Sequence, residues 1–120
     1  MSTNTGMTWP IAALCMATVL LLSVGQVLFK AASTGWVPHD WRTWCSPVLA
    51  CALLTYGAAT LAWLFVLSRV PLTLAFPFYG LSFVFVPLLA AATLREPLRA
   101  AHLAGAVLIV AGIAVATRRA

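Results

Sequence analysis

Residues 69 to 117 read RVPLTLAFPFYGLSFVFVPLLAAATLREPLRAAHLAGAVLIVAGIAVAT, two apolar runs joined by a short charged segment. Each run is long enough to cross the hydrocarbon core of a bilayer, which takes about 20 residues of helix. The charged segment, Arg95 to Arg99, provides the turn between them. Because a backbone in lipid must satisfy its own hydrogen bonds, these residues predict a transmembrane helical hairpin. The residues upstream predict a second, similar hairpin.

The composition of the whole chain agrees with this interpretation. Hydrophobic residues make up 63% of the 120 residues, charged residues 8%, and the mean hydropathy is +1.04. Too few polar groups remain to cover a soluble domain. We therefore predict an all-α integral membrane protein with four transmembrane helices in two hairpins. The helices are expected at 10–32, 48–68, 71–94 and 101–117, within a single domain that takes up residues 1–120.

Charged side chains are few and lie near the ends of the apolar runs. Seven lysines and arginines against Asp40 and Glu96 give a formal charge of +5. Cations in such places meet anionic phospholipid headgroups, so no nucleic-acid partner is expected. The three cysteines are an odd number, and two of them lie in apolar runs where thiols act as small hydrophobic groups. Neither a disulfide nor a metal site is predicted, and no cofactor.

The first span carries a polar stripe near its end. Ser23, Gln26 and Lys30 follow one another at i, i+3 and i+7, which places three polar side chains on one helix face. We expect this stripe to point inward and to bind substrate. The alternative is that Lys30 only reaches toward the interface, while Ser23 and Gln26 bond to neighbouring helices.

Residues 33–47, STGWVPHDWRTWCSP, form a polar, turn-rich connection with three tryptophans. Tryptophan favours the headgroup zone, so the loop is expected to lie there, either gating access or resting at the interface. His39, Asp40 and Arg42 are its clustered titratable groups. A single His-Asp pair is too weak a pattern for catalysis, and a salt-bridged interfacial loop is the favoured interpretation.

The third span contains Pro77, Pro87 and Gly80 and begins at Pro71. Prolines inside a span interrupt the backbone hydrogen bonds and expose carbonyls toward cavities, a feature that transporters use. Aromatic residues in this span are expected to line a lipid-accessible groove or to pack against other helices: Phe76, Phe78, Tyr79, Phe83 and Phe85. Tyr79 and Ser82 are included among the candidate substrate-binding residues.

The fourth span carries a strip of small residues. Gly105 and Gly112 lie on one helix face together with Ala101 and Ala116. Such strips let two helices approach closely in a bilayer, where burial of apolar area alone does not drive association. We expect Gly105 and Gly112 to form a dimer interface.

A set of residues stands in a characteristic order along the second hairpin: Val70-Pro71, Ala75, Glu96-Pro97-Leu98, Gly105 and Gly112. In this order they resemble the drug/metabolite transporter superfamily, which includes EamA-type repeats and small multidrug resistance proteins. More narrowly, the chain resembles the ArnE and ArnF families of small flippase subunits over nearly its whole length, apart from the tail and the Trp-rich loop. The residues that carry this resemblance are Leu21-Leu22-Ser23, Gly25-Gln26, Lys30, Leu61, Trp63-Leu64 and Val66-Leu67 in the first two spans, and Val70-Pro71, Ala75, Pro77, Leu81, Phe83-Val84, Glu96-Pro97, His102 and Gly105 in the hairpin.

The resemblance implies a small multidrug resistance-like half-transporter of the bacterial inner membrane. The implied function is that of a flippase, or a flippase subunit, for a polyprenyl-phosphate-linked sugar such as undecaprenyl-phosphate-4-amino-4-deoxy-L-arabinose. The implied role is modification of lipid A or envelope glycans, and with it polymyxin resistance. The implied partners are this sugar lipid, membrane lipids and a second small subunit.

One departure from the superfamily bears on mechanism. Small multidrug resistance proteins exchange protons for cationic drugs through a glutamate eight residues before the lysine of the first helix, and here that position is Leu22. Glu96 cannot replace it, because it lies in a connection. Proton-coupled drug exchange is therefore disfavoured, while a small-solute or cationic-drug exporter and a non-transporting accessory subunit remain alternatives. No nucleophile-base pair or metal-ligand cluster appears in the spans, so an enzyme is not expected.

The remaining charges suit an anionic lipid-linked substrate. If four helices cross the bilayer, the first and third connections share one face, and most of the charges lie there. The substrate-binding rim is then predicted to contain Lys30, Arg42 and Arg95, with Arg99 nearby. A phosphate would pair with the lysine and would contact arginine through two N–H groups. Glu96 would receive an amine of the sugar, or would instead pair with a neighbouring arginine or a helix end.

The distribution of cations does not set the orientation in the membrane. Arg69, Arg118 and Arg119 belong to one face and four cations to the other, a difference of one. Such a balance fits either an antiparallel homodimer or a heterodimer with a similar inverted subunit. Four helices make half of an inverted-repeat transporter, so we expect one of these two dimers.

Overall fold

The computed structural model describes residues 8–118, which fold into helices joined by short connections. In chain order the helices are α1 (Trp9–Ser33), a 3-10 helix (Trp41–Trp44), α2 (Pro47–Leu67), α3 (Leu72–Tyr79), α4 (Ser82–Thr93) and α5 (Ala100–Ala116). Within the described residues there is no strand. The architecture is the all-α, four-span one that hydropathy predicts, with α3 and α4 sharing the third span.

Local sequence explains where the first two spans begin. Pro10 lies in the first turn of α1 and Pro47 in the first turn of α2, where a missing N–H removes no intrahelical hydrogen bond. The Ser46 hydroxyl caps α2 by accepting a hydrogen bond from the backbone N–H of Leu49 at 3.4 Å. Lys30 lies in the last turn of α1, where a cation complements the helix dipole.

The third span is interrupted, where the sequence predicts a single helix over 71–94. α3 ends at Tyr79 and α4 begins at Ser82. Across the break, the backbone N–H of Gly80 donates a hydrogen bond to the carbonyl of Pro77 at 3.0 Å. The N–H of Leu81 donates one to the carbonyl of Phe78, also at 3.0 Å. These i to i+3 bonds replace the wider helical pattern and keep the backbone paired at a depth where water is not available.

α1 and α2 pack closely and run antiparallel. Val66 shares the buried core with Cys15 at one end, whereas Tyr56 lies against Gly25 toward the other end. The α2 side of the contact includes Ala59, which is completely buried. Small residues at these positions let the two backbones approach, which is how helices associate in lipid.

The third span lies beside α1 and runs in the same direction. Ala75 belongs to the core together with Cys15, and farther along both helices Pro87 and Gln26 line one cleft. The thiol of Cys15 lies 4.0 Å from the carbonyl oxygen of Ala75. One end of the bundle therefore carries the connections 34–46 and 94–99, and the other end carries the turn at 68–71.

α5 lies at the edge of the bundle, against α3 and α4. Ile113 packs beside Gly80, and His102 lines a small cavity with Pro87, so α5 runs antiparallel to the third span. None of its residues is buried. Its 17 residues lie at the lower limit of about 17–25 that a helix needs to cross a bilayer.

Large apolar side chains cover the outside of the bundle. Leu54, Leu61 and Leu108 are each more than two-thirds exposed. In water this surface would be costly, but in a bilayer it faces hydrocarbon. Three apolar segments have the length to span a membrane: Trp9–Ser33, Pro47–Leu67 and Leu72–Thr93.

The contact between α1 and α2 predicts the effect of enlarging Gly25. A Cβ at this position would stand 3.2 Å from Cδ1 of Tyr56, so Gly25→Val is expected to destabilise the bundle by about 1–3 kcal/mol through overpacking. Gly57→Val in α2 is the matched control, because a Cβ there meets nothing within 4 Å. Unfolding of both variants in detergent with increasing SDS, followed by tryptophan fluorescence, measures the difference. Equal stability of the two variants would contradict the close contact.

Candidate functional site

A cleft of about 270 Å³ opens between α1 and the third span. Its lining residues are Leu22, Gln26, Tyr79, Ser82, Phe83, Val86 and Pro87. Three predicted substrate-binding residues, Gln26, Tyr79 and Ser82, supply its polar side chains. Ser82 lies in the middle of the Leu72–Thr93 span, so the cleft reaches the depth of the bilayer centre. Because Gln26 and Phe83 are exposed, the cleft opens sideways to the surroundings, which in a bilayer are lipid.

The interruption of the third span positions two of these groups. Tyr79 is the last residue of α3 and Ser82 is the first residue of α4. The turn between them brings a phenol and an aliphatic hydroxyl to the same cleft. The sequence explains the local geometry, because Pro77 weakens the helix before the turn and Gly80 has no Cβ, which would stand 3.0 Å from the Pro77 carbonyl oxygen.

Tyr79 is held in a fixed orientation by its neighbours. Its hydroxyl lies 3.4 Å from the hydroxyl of Tyr56, close enough for a hydrogen bond in either direction. Its ring meets Trp63 edge to face at 5.3 Å and stacks on Phe76 at 5.7 Å between ring centres. A hydroxyl oxygen accepts two bonds and donates one, so the pair of phenols retains capacity for a ligand.

Gln26 and Ser82 have side chains that are available to a ligand. Among residues 8–118, neither the amide of Gln26 nor the hydroxyl of Ser82 makes a hydrogen bond within the protein. The amide offers two N–H donors and the hydroxyl one O–H donor. Polar groups without partners in hydrocarbon are costly, so a polar ligand in the cleft would satisfy them.

Lys30 lies one helical turn beyond Gln26 toward the end of α1, about 6 Å farther along the helix axis. Its side chain is exposed. In the described part of the chain it forms no ion pair. Its ammonium group is therefore free to meet an anion near this end of α1.

Ser23 does not line the cleft, although it belongs to the same polar stripe in the sequence. Its side chain is completely buried, and its hydroxyl donates a hydrogen bond to the carbonyl of Val19 at 2.8 Å. Such a bond within one helix satisfies the hydroxyl without any partner helix or ligand. The structure thus separates Ser23 from Gln26, which faces the cleft.

The 34–46 connection is folded by its own hydrogen bonds. The Thr43 hydroxyl donates to the carbonyls of Val37 and Asp40, each at 2.8 Å, and accepts from the Val37 backbone N–H at 3.0 Å. Trp44 donates to the Pro38 carbonyl at 3.2 Å. The Arg42 guanidinium lies 3.6 Å from the Asp40 carboxylate, which confirms the salt-bridged loop that the sequence favours.

Arg95 and Glu96 occupy the connection between α4 and α5 and are both exposed. Arg95 has a φ of 58°, in the left-handed region that ends helices, and the Glu96 N–H bonds back to the Ala90 carbonyl at 3.4 Å. This connection and the Arg42 loop lie at the same end of the bundle as Lys30. The structure does not bring these four charged side chains into contact with one another within the described residues.

A second cleft, of about 350 Å³, lies on the other side of the third span, facing α5. It is lined by Phe76, Pro77, Tyr79, Gly80, Phe83, Ile109, Gly112 and Ile113. Tyr79 and Phe83 belong to both clefts, so their rings form the wall between them. This aromatic face is the groove that the sequence predicts for the third span, whereas Phe78 packs against the buried core instead.

Sequence reasoning missed three residues that line the first cleft: Leu22, Val86 and Pro87. The helical period could have identified the two residues of the third span. Counting from Tyr79, the next positions on the same helix face are 82 or 83 and then 86 or 87. Leu22 stands one turn before Gln26 and lines the cleft at the position where an exchanger of the superfamily would carry its carboxylate.

Gly105 and Gly112, the predicted dimer contacts, have room around them in the single chain. A Cβ at either position would meet nothing within 4 Å. Gly112 also lines the cleft that faces α5. Gly105 and Gly112 are therefore not needed for close packing of α5 against the other described helices of this chain. The dimer interface stays a prediction.

Comparison with known proteins identifies both a family and individual relatives. The model of the EamA-like transporter family matches residues 3–118. The chain is 38% identical over 105 residues to a protein of Pseudomonas fluorescens, covering 85% of this chain and 92% of that protein. It is 41% identical over 117 residues to a protein of Pseudomonas aeruginosa, covering 91% and 98%. Both relatives are named as probable 4-amino-4-deoxy-L-arabinose-phosphoundecaprenol flippase subunits, ArnE.

A shorter match points to the same group. A protein of Sodalis glossinidius with the same name is 49% identical over 65 residues, which is 54% of this chain and 59% of that protein. No solved structure matches the chain. The match of the family model along nearly the whole sequence, with four apolar spans, shows that this chain is a multi-pass membrane protein that belongs to the EamA-like transporter family.

Proposed function

We propose that the chain is a flippase subunit of the bacterial inner membrane that moves an anionic, polyprenyl-phosphate-linked amino sugar between the two leaflets. The observation that carries this proposal is the lateral cleft, in which Gln26, Tyr79 and Ser82 present polar groups in the middle of the spans. The names of the relatives support 4-amino-4-deoxy-L-arabinose-phosphoundecaprenol as the substrate. The substrate is moved and not chemically changed, so the protein acts as a transporter and not as an enzyme.

The phosphate first meets a cation at the end of the bundle. Lys30 is exposed one helical turn beyond Gln26 and has no ion-pair partner within residues 8–118. Arg95 belongs to the same end, and Arg42 joins it when its contact with Asp40 opens. Arginine contacts a phosphate through two N–H groups, and lysine contacts it as a compact charge.

Deeper in the cleft, hydrogen-bond donors replace the water that the headgroup loses. Gln26, Ser82 and Tyr79 all line the same cleft, and each carries a group that can donate a hydrogen bond. Hydrogen bonds to a charged group are worth about 1.5–3 kcal/mol each, which offsets part of the cost of taking a phosphate into the bilayer. The cleft thereby lowers the barrier that a sugar phosphate meets in pure lipid.

The polyprenyl tail does not have to leave the hydrocarbon. The cleft opens beside Phe83, and Phe76 and Tyr79 extend the aromatic face along the third span. A tail that lies against this face can turn over while only the headgroup crosses the polar part. Glu96, exposed at the same end as Lys30, is proposed to accept the sugar amine there.

A second subunit completes the transporter. The names of the relatives describe flippase subunits, and four spans are half of an inverted-repeat transporter. We propose a homodimer, or a heterodimer with a similar small subunit, in which the strip containing Gly105 and Gly112 meets the partner helix.

Replacing Lys30, the exposed cation one helical turn beyond Gln26, tests the proposed function. Lys30→Met is expected to slow flipping about tenfold or more, because a charge-assisted contact with phosphate is lost, and Lys30→Arg should retain most of the rate. Arg69→Met, at the opposite end of the bundle, is the control. The assay uses proteoliposomes containing the chain, its co-purifying subunit and the sugar lipid, with the headgroup exposed to membrane-impermeant periodate. Flipping by Lys30→Met at the wild-type rate, with equal protein, removes Lys30 from the site.

The deep polar groups are tested in the same assay. Ser82→Ala and Gln26→Leu should each reduce the flipping rate several-fold, since each removes donors worth about 1 kcal/mol or more to the headgroup. Thr93→Val is the matched control, because this hydroxyl lies in the same span but bonds to its own helix at the Leu89 carbonyl. If Thr93→Val slows flipping as much as Ser82→Ala, the cleft is not the pathway.

The proposed dimer contact has its own test. Gly105→Leu is expected to convert dimers into monomers in native mass spectrometry of the detergent-purified protein, because the larger side chain prevents close helix approach. Gly57→Leu, a glycine of α2 that also has open space around it, should leave the oligomeric state unchanged. A dimer that persists in Gly105→Leu would place the interface elsewhere.

A further inference from the structure

The membrane-spanning helices of this chain contain no acidic residue. Asp40 and Glu96 are the chain's two carboxylates, and both lie in connections at one end of the bundle. A substrate that carries an ammonium group can meet Glu96 at that end. In the middle of the spans, the chain offers its ammonium no carboxylate.

Besides the amide and hydroxyl oxygens of the cleft, aromatic rings are the groups in the spans that attract a cation. The face of an aromatic ring carries negative charge density and binds ammonium groups, more strongly where water is excluded. An unpaired ammonium in hydrocarbon is costly, so even a modest contact changes the rate at which it crosses. A ring that binds this ammonium group has to line the cleft through which the headgroup is proposed to cross.

Phe83 is the aromatic residue whose placement fits this role. It follows Ser82 directly in α4, and its side chain is 67% exposed. It lines the cleft toward α1, the cleft toward α5 and a cavity of about 50 Å³ beside His102. All three spaces meet at this one ring.

The ring of Phe83 also has no aromatic partner within the described residues. Tyr79, the other ring that lines both clefts, is covered by Trp63 and Phe76. Within the described residues, Phe83 stacks on no other aromatic ring and lies under no cation of the protein. No aromatic or cationic side chain of the described residues therefore competes with a ligand for this ring.

We infer that Phe83 binds the ammonium group of the substrate sugar through a cation–π contact while the headgroup crosses the middle of the bundle. The inference rests on the proposed function and adds a determinant of substrate specificity. Ser82, the preceding residue, donates to the phosphate, and Phe83 receives the amine of the same headgroup. A sugar phosphate with a charged amine is then preferred over the same sugar with a neutral amide.

The experiment compares two lipids in the flipping assay. One is undecaprenyl-phosphate-linked 4-amino-4-deoxy-L-arabinose, and the other is its N-acetyl derivative, which has no positive charge. Periodate cleaves the vicinal diol that both sugars retain, so one reagent reports on both. The variants are Phe83→Leu, which removes the aromatic ring, Phe83→Tyr, which keeps it, and the control Phe85→Leu on a half-buried ring of α4 that lines neither cleft.

The inference predicts a change in preference and not only in rate. Phe83→Leu should reduce the ratio of amine-lipid to acetyl-lipid flipping by about tenfold, within the range of desolvated cation–π contacts. Phe83→Tyr and Phe85→Leu should keep the wild-type ratio. If Phe83→Leu slows both lipids equally, or changes neither, the inference is wrong while the flippase stands. If the wild-type protein moves neither lipid, the proposed function fails and the inference with it.

Discussion

A backbone in hydrocarbon must keep its hydrogen bonds, and the third span meets this requirement although it is broken. The turn at Gly80 and Leu81 stays paired through i to i+3 bonds, so the interruption exposes little backbone polarity to lipid. What it does instead is place Tyr79 and Ser82 at adjoining helix ends beside α1. Because Ser82 stands three residues after Tyr79, the two residues share a face across the turn as they would in an unbroken helix, and the polar part of the cleft is retained despite the interruption.

The distribution of charge then limits what the cleft can transport. Leu22 occupies the cleft wall, and no carboxylate lies in any span, so the chain lacks the carboxylate through which small multidrug resistance proteins exchange a proton for a cationic drug. Donors are available instead, from Gln26 and Ser82 inside and from Lys30 outside. A cleft that offers hydrogen-bond donors and no carboxylate is suited to binding an anion. In this respect the chain differs from the cation exchangers that it resembles in length and number of helices.

The sequence predicts the spans well because the bilayer itself dictates their length and apolarity. It does not predict which side of a helix a neighbour covers. Ser23 and Gln26 are three residues apart and share a stripe, yet in the folded bundle Ser23 is buried and Gln26 lines the cleft. The position of the break is hard to predict for the same reason. Pro77 and Pro87 both weaken the helix, so the sequence offers more than one place for a break, whereas the contact of Gly80 with Ile113 exists only in the tertiary structure.

The size and openness of the cleft argue that one chain forms only part of the pathway. A volume of about 270 Å³ is small for a ligand site, for which about 300–1,000 Å³ is usual, and Gln26 at its edge is exposed. A sugar phosphate has more hydrogen-bonding groups than three side chains can satisfy, and each unsatisfied group in hydrocarbon costs several kcal/mol. The remaining partners must come from water or from a second subunit. A copy inserted in the opposite orientation would place its own Lys30 and its own cleft toward the other leaflet.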